Sequence, residues 1–235
     1  GDLRPNFALA DIFGADSAGE VVGPLGNSYA RIDRRHPVTT GFDGTELLPG
    51  AENRVPIRAK QKHSPVLTVV PYYPAFPPEM VFPRTPRTDE PAAIFRQSGD
   101  SRVAYFAGDI DRRFWRSGNT DLLRLMINSV QWVSGEATSP VRVMGEGIVE
   151  VFAWETEPGY ALHLLNYTNP NMTRGFMHEF YRIGPQRVRF EVPGSRRISA
   201  ARALRAGREL DFKQDGATVE FEIPSVLDYE VVALT

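Results

Sequence analysis

Residues 102–116 read RVAYFAGDIDRRFWR, an apolar run from Val103 to Ala107 that stops at Gly108 and opens onto Asp109, Asp111, Arg112 and Arg113. Two carboxylates two positions apart on an extended chain point the same way, a geometry for holding a cation or an acid/base pair. No histidine lies within ten residues of either acid. A sugar hydrolase also needs its two carboxylates facing one another across the substrate. The alternative is a strand-to-helix joint: one Asp accepts backbone donors in the turn, Arg112, Arg113 and Arg116 pair with it or face water, and Phe114 and Trp115 cover the strand end. The reading adopted is the joint.

Four histidines supply the remaining proton chemistry: His36 before Pro37, His63 in a polar stretch, His163 within ALHLLNY, and His178. His163 reads as a hydrogen-bonded sheet residue. None stands in a G-x-S-x-G turn or an H-E-x-x-H helix, and neither a G-x-G-x-x-G nor a P-loop pattern occurs, so no nucleotide fingerprint exists. The chain has no cysteine, which excludes thiol nucleophiles and thiolate metal sites and leaves the compartment open. The expectation is no catalytic set, no metal and no cofactor.

Aromatic side chains are the other chemistry-bearing group. Pro71 to Pro91 holds seven prolines in 21 residues, an extended surface loop because proline fixes φ and removes donors. Tyr72, Tyr73, Phe76 and Phe82 sit in it; they either pin the loop to its own core or offer a contact surface for a sugar or a partner chain. Tyr72, Tyr73, Phe76 and, on a second-half hairpin with Tyr160, Trp154 are the candidate carbohydrate-stacking platforms. Between Arg182 and Lys213 nine Lys/Arg stand against three Asp/Glu. With few aromatics interleaved, this cluster reads as the solvent face of alternating strands rather than a nucleic-acid surface.

The elements that must carry these residues fall into two textures. PNFALADIFG reads as a short helix closed by Gly14, with SYARID, HPVTTGF, RVPIRAK and SPVLTVVPYY as strands of increasing strength. AAIFRQ and RVAYFA turn about Ser98-Gly99-Asp100, and TDLLRLMINSVQWV places Leu122, Leu125, Met126, Ser129, Val130 and Val133 along a helical stripe. Strand followed by amphipathic helix is the unit of an α/β layer. After residue 138, IVEVFAWETEPGYALHLLNYTNP reads as two strand runs about Glu157-Pro158-Gly159, QRVRFEVP alternates strictly, and the closing stretch repeats the scheme with turns at Gly207 and Asp215-Gly216. The expectation is an α/β domain over residues 1–137 and an antiparallel β-sandwich over 138–235.

A formal net charge of −2 and 42% apolar residues in 235 describe a chain with a real core and no global pull toward nucleic acid or membrane. No run of 18 apolar residues is present. Asn166-Tyr-Thr168 and Asn171-Met-Thr173 match the glycosylation pattern as chance occurrences. GDLRPNFALA lacks an initiator Met and any leader pattern, and reads as the start of an excised piece.

Taken together, RPNFALADIFG, HPVTTGF, VFPRTPRTDEPAAIFRQSGDSRVAYFAGDIDRRFW, LLRLMINSVQWV, HLLNYTNP and FEIPSVLDYEVVAL resemble the C-terminal part of bacterial glycoside-hydrolase-like proteins, relatives of the β-galactosidases. The resemblance implies a partial flavodoxin- or amidotransferase-like "trimerisation" α/β domain, without catalytic chemistry, followed by a small β domain. It also implies an upstream catalytic (β/α)8 barrel that holds the family's two glutamates, and a start point at which the α/β layer is about half built. The implied role is a non-catalytic architectural or oligomerisation module, its partners the upstream barrel, identical subunits, or both. A carbohydrate-binding module that takes an oligosaccharide on the loop aromatics is the alternative. A stand-alone enzyme using Asp109, Asp111 and His36 is the third reading.

Overall fold

A computed structural model describes residues 4–61, 64–85, 87–135, 139–169 and 179–235. The chain divides into two compact units, Gly1–Ala137 and Thr138–Thr235. In the first, α1 (Ala10–Phe13) is closed by Gly14 in the left-handed region at φ 72°, as its sequence position requires. The strands are β1 (Ala15–Ser17), β2 (Tyr29–Ile32), β3 (Leu47–Pro49), β4 (Ile57–Ala59), β5 (Leu67–Val70), β6 (Ala93–Ser98) and β7 (Ser101–Phe106), followed by α2 (Ile110–Ser117) and α3 (Thr120–Ser134). Strand order is β3-β2-β5, with β1-β4 and β6-β7 as two-stranded pairs. Asn119 caps α3, its side-chain oxygen accepting the Asp121 and Leu122 N–H groups at 3.0 and 3.2 Å. Leu122 and Leu125 then seat on Val38, Phe42, Leu48, Leu67 and Phe95 in one core.

Every strand pair among the described residues of this unit is antiparallel, a direction that the strand-then-helix pattern did not specify. Connection length sets it. Gly99-Asp100 closes a tight hairpin between β6 and β7, and after the proline-rich loop the chain returns beside β5 in the opposite sense, at the Thr68–Pro91 bridge. HPVTTGF is likewise no strand: Pro37–Thr39 form one 3-10 turn. The outcome is a β-rich unit with few helices.

The second unit contains β8 (Val141–Met144), β9 (Val149–Glu155), β10 (Tyr160–Asn166), β11 (Gln186–Glu191), β12 (Ala201–Ala203), β13 (Arg208–Glu209), β14 (Phe212–Asp215), β15 (Thr218–Ile223) and β16 (Tyr229–Leu234). They form a five-stranded sheet, β13-β12-β16-β10-β9, and a four-stranded sheet, β14-β15-β11-β8, with antiparallel pairing throughout. Alternate residues of both sheets meet in one core: Leu162, Leu164, Val232 and Leu234 from the first, Val188, Phe190, Val219 and Phe221 from the second. Gly159 turns β9 into β10 because its backbone lies against the Leu234 carbonyl, where a side chain has no room.

One carboxylate enters this interior. Glu230 is 4% exposed and accepts the backbone N–H groups of Arg205 and Ala206 at 2.8 and 3.1 Å, closing the turn between β12 and β13. Glu230→Ala leaves both donors without a partner and is expected to lower unfolding free energy by about 1–3 kcal/mol in urea titration, with Glu230→Gln costing less.

Candidate functional site

Asp109 directly follows Gly108, and its surroundings settle what it does. A side chain at Gly108 would run into Ala51 and the Asn53 carbonyl, so the 51–54 segment crosses tightly over the end of β7. Asp109 fastens that crossing: its carboxylate accepts the Asn53 backbone N–H at 2.7 Å and the Asn53 amide at 2.8 Å, while its own N–H donates to the Asn53 carbonyl at 3.1 Å. Partial burial pushes the carboxyl upward, but the hydrogen bonds from the Asn53 side chain and backbone outweigh it, and the group titrates below its ordinary 3.8. Asp111 is exposed on the first turn of α2. Arg116 pairs with Glu52 at 2.5 Å, and Arg112 stands 3.9 Å from Asp109. Phe114 packs toward the core, but Trp115, one residue round the helix, is 88% exposed and does not cover the strand end as expected.

His36 is equally occupied. Its ring stacks on Phe95 at 5.4 Å and meets Trp132 edge-on at 4.9 Å, and its Nδ1 accepts the Val38 N–H at 3.3 Å as the cap of the 3-10 turn. Burial, then repulsion from Arg34, holds its pKa below 6.5, which favours the neutral acceptor that this cap needs. Among the described residues no three His, Asp or Glu side chains gather as a metal would require. His63, His178, Asn171 and Thr173 lie outside the described residues. Asn166 is 3% exposed and donates to the Tyr181 and Leu227 carbonyls at 2.7 and 2.6 Å, so its amide is structural.

The aromatic candidates separate. Tyr72 and Phe76 are 56% and 78% exposed on the proline-rich loop, whereas Tyr73 lies parallel to Tyr29 at 6.1 Å and helps pin that loop. Trp154 belongs to the other unit, on edge strand β9. Its hairpin companion Tyr160 is 5% exposed and packs on Phe190 at 5.2 Å; it is core, not a platform.

The outer face of the five-stranded sheet holds what the sequence reading missed. Register places Trp154 opposite Ala161, Phe152 opposite His163 and Glu150 opposite Leu165. It continues with Ala233, Val231 and Tyr229 on β16, and directly opposite residues share a face. That face is therefore mostly apolar. His163 is on it, half-buried, and among the described residues makes no side-chain hydrogen bond, contrary to the expected sheet-bonded histidine. At the Leu165–Tyr229 row the face opens into a hollow of about 300 Å³ lined by His163, Leu165, Tyr167, Phe180, Asp228 and Tyr229. The signal was present in DYEVVALT, where Tyr229, Val231 and Ala233 alternate with residues that are also mostly apolar; a strand apolar on both parities asks for cover on both faces.

No family model and no curated protein matches the chain. Solved structures do. The chain superposes on alpha-L-fucosidase isoenzyme 2 from Paenibacillus thiaminolyticus with a TM-score of 0.63 and 16% identity, covering 94% of this chain and 33% of that one. A GH42 beta-galactosidase from G. stearothermophilus and a catalytic mutant of it align at TM-score 0.48 and 15% identity, covering 95% of this chain and 24% of theirs. The chain thus spans about a third of the length of the fucosidase it matches, and the likeness is one of fold.

Because the Asp109 pKa is depressed on folding, the stability it contributes is present above the unfolded carboxyl value and is lost as pH falls through the folded one. Asp109→Asn is expected to cost about 1–2 kcal/mol near neutral pH, the gap to the parent chain closing as the pH drops below 3.8. Urea midpoints across pH measure it.

Proposed function

We propose that the chain is a non-catalytic, architectural module of a carbohydrate-active protein, held to a neighbouring protein surface by the outer side of α3. One observation carries this reading. Leu122, Leu125 and Ser129 of α3 are buried, yet Leu123, Ile127, Val130 and Val133 are 38%, 46%, 63% and 36% exposed. Positions 123, 127 and 130 fall on one stripe at helical spacing, so the helix carries apolar side chains on its solvent side as well as on its core side. A helix at the surface of a monomer mostly turns charged and polar residues to water, as α3 does with Asp121, Arg124 and Gln131; the exposed apolar stripe beside them marks a contact surface. Val130, placed by its periodicity on the core stripe, lies on this outer side instead, whereas Val133 keeps the core-side position and is exposed at the end of the helix.

The fold shared with a third of a fucosidase fits a chain of this kind. So does the fate of the candidate acid/base groups: Asp109 gives both carboxylate oxygens to Asn53 at the 51–54 crossing, and the His36 Nδ1 caps the 3-10 turn. In this reading the first unit corresponds to the amidotransferase-like, trimerisation layer that the sequence resemblance implies, with the β7–α2 joint and α3 as the parts that fit it. The partner is an identical subunit or the upstream barrel.

Sedimentation of the 235-residue chain is expected to show a concentration-dependent mass above the 26.3 kDa monomer, returned toward monomer by Ile127→Glu or Val130→Glu. A chain monomeric at roughly 100 μM removes the identical subunit as partner, since specific interfaces hold well below that concentration. Turnover of an aryl galactoside or fucoside that disappears in Asp109→Asn would remove the non-catalytic reading.

A further inference from the structure

The hollow at the end of the five-stranded sheet belongs to neither the acid joint nor the α3 stripe. We propose that it binds a neutral pyranose unit of a glycan. Its volume, about 300 Å³, falls at the lower end of small-molecule sites, about 300–1,000 Å³, and suits one or two sugar rings rather than a protein surface. Three rings present area to it: Tyr167, Phe180 and Tyr229 are 39%, 51% and 44% exposed. A pyranose offers one face of C–H bonds, which an aromatic face accepts with favourable dispersion and electrostatics.

The polar groups match as well. Among the described residues the His163 imidazole and the Tyr167 and Tyr229 hydroxyls have no hydrogen-bond partner, which leaves uncharged donors and acceptors for ring hydroxyls. Among the described residues the one carboxylate in the lining is Asp228, and it is already neutralised: Arg205 lies 2.8 Å from it, and the Tyr229 N–H donates to it at 2.9 Å. Charge complementarity therefore selects an uncharged ligand. The walls are held in place before any ligand arrives. The Arg205 guanidinium sits 4.5 Å from the Tyr229 ring centroid, and Asn166 ties β10 to the Tyr181 and Leu227 carbonyls; such fixed side chains lower the ordering cost of binding. The site is distinct from Tyr72, Tyr73 and Phe76, which lie in the other unit, and from Trp154, at the opposite end of the β9–β10 register.

The test is titration of the 235-residue chain, by calorimetry and two-dimensional NMR, with L-fucose, methyl β-D-galactopyranoside, methyl β-D-glucopyranoside and galactotriose, and with galacturonate as the charged comparator. Saturable binding of at least one neutral sugar is expected, with Kd on the order of 1 mM. Tyr229→Ala and Phe180→Ala should each weaken it about tenfold or more, Tyr229→Phe much less, while Trp154→Ala, Tyr72→Ala and Ile127→Glu leave it unchanged. Because Ile127→Glu tests the α3 docking face alone, the two proposals fail separately. No saturable shift with any neutral sugar up to roughly 100 mM, equal loss in Trp154→Ala, or galacturonate binding as well as the neutral sugars overturns the site. So does a change of oligomeric mass in Tyr229→Ala without a change in sugar affinity, since the hollow would then be a subunit contact. Should Tyr229→Ala fail to fold, Phe180→Ala, outside any strand, carries the same comparison.

Discussion

A β-strand has two faces, and whatever one of them does not bury must meet water or a partner. In the second unit this constraint resolves differently in the two sheets. The four-stranded sheet turns a charged ladder outward: Arg189 stands opposite both Arg142 and Glu220, Arg187 opposite Glu222, and Lys213 opposite Glu220. Water solvates such a face without help. The five-stranded sheet buries Leu162, Leu164, Val232 and Leu234 on its inner side and shows Phe152, Trp154, Val231 and Tyr229 on the other. At about 25 cal/mol per Å² of apolar surface, leaving several aromatic rings in water is a standing cost that the charged ladder of the other sheet avoids.

The acids at the mouth of β7 illustrate the opposite condition. A carboxylate able to shuttle protons or hold a cation needs acceptor capacity left over after folding. Asp109 has spent both oxygens on Asn53, and the close passage over Gly108 leaves no room for a substrate at that point. Arg116 is taken by Glu52 on the same crossing segment. Two of the charges that make the stretch look like a site, Asp109 and Arg116, are the ones that hold the crossing closed. In the hollow of the second unit the balance is reversed: among the described residues its imidazole and hydroxyl groups have no hydrogen-bond partner, and they stand among exposed rings.

Much of the fold was legible where periodicity and burial agree. QRVRFEVP alternates, and Val188, Phe190 and Val192 are buried while Arg187 and Arg189 are exposed. Gly14, Gly99 and Gly216 stand at turns with φ of 72°, 59° and 57°, in the left-handed region that their neighbours cannot enter cheaply. What periodicity did not reveal was direction and cover. An apolar strand followed by an amphipathic helix reads the same whether its neighbour runs parallel or antiparallel; the return of the chain at Pro91 decides, and it is a non-local event. Equally, apolar residues at 122, 125, 126, 130 and 133 fit one broad stripe on paper, while packing splits them between two sides. His163 was misplaced for a related reason: alternation locates it on a face without saying whether water, a ligand or another sheet lies beyond.

The two exposed apolar surfaces are chemically unlike, and the difference bears on what each can hold. The outer side of α3 carries Leu123, Ile127 and Val130, aliphatic groups without a hydrogen-bonding atom in their side chains. Such a stripe discriminates by shape and area alone, which suits a broad, dry contact with another protein. The hollow beside β10 and β16 combines ring faces with polar tips that among the described residues have no hydrogen-bond partner, and a purely aliphatic partner would bury those tips without pairing them, at a cost comparable to that of a lost hydrogen bond. A ligand that offers C–H faces and hydroxyls together avoids that penalty. With the aliphatic stripe in one unit and the mixed hollow in the other, a single substitution can alter either surface by itself, a separation that one shared surface would not allow.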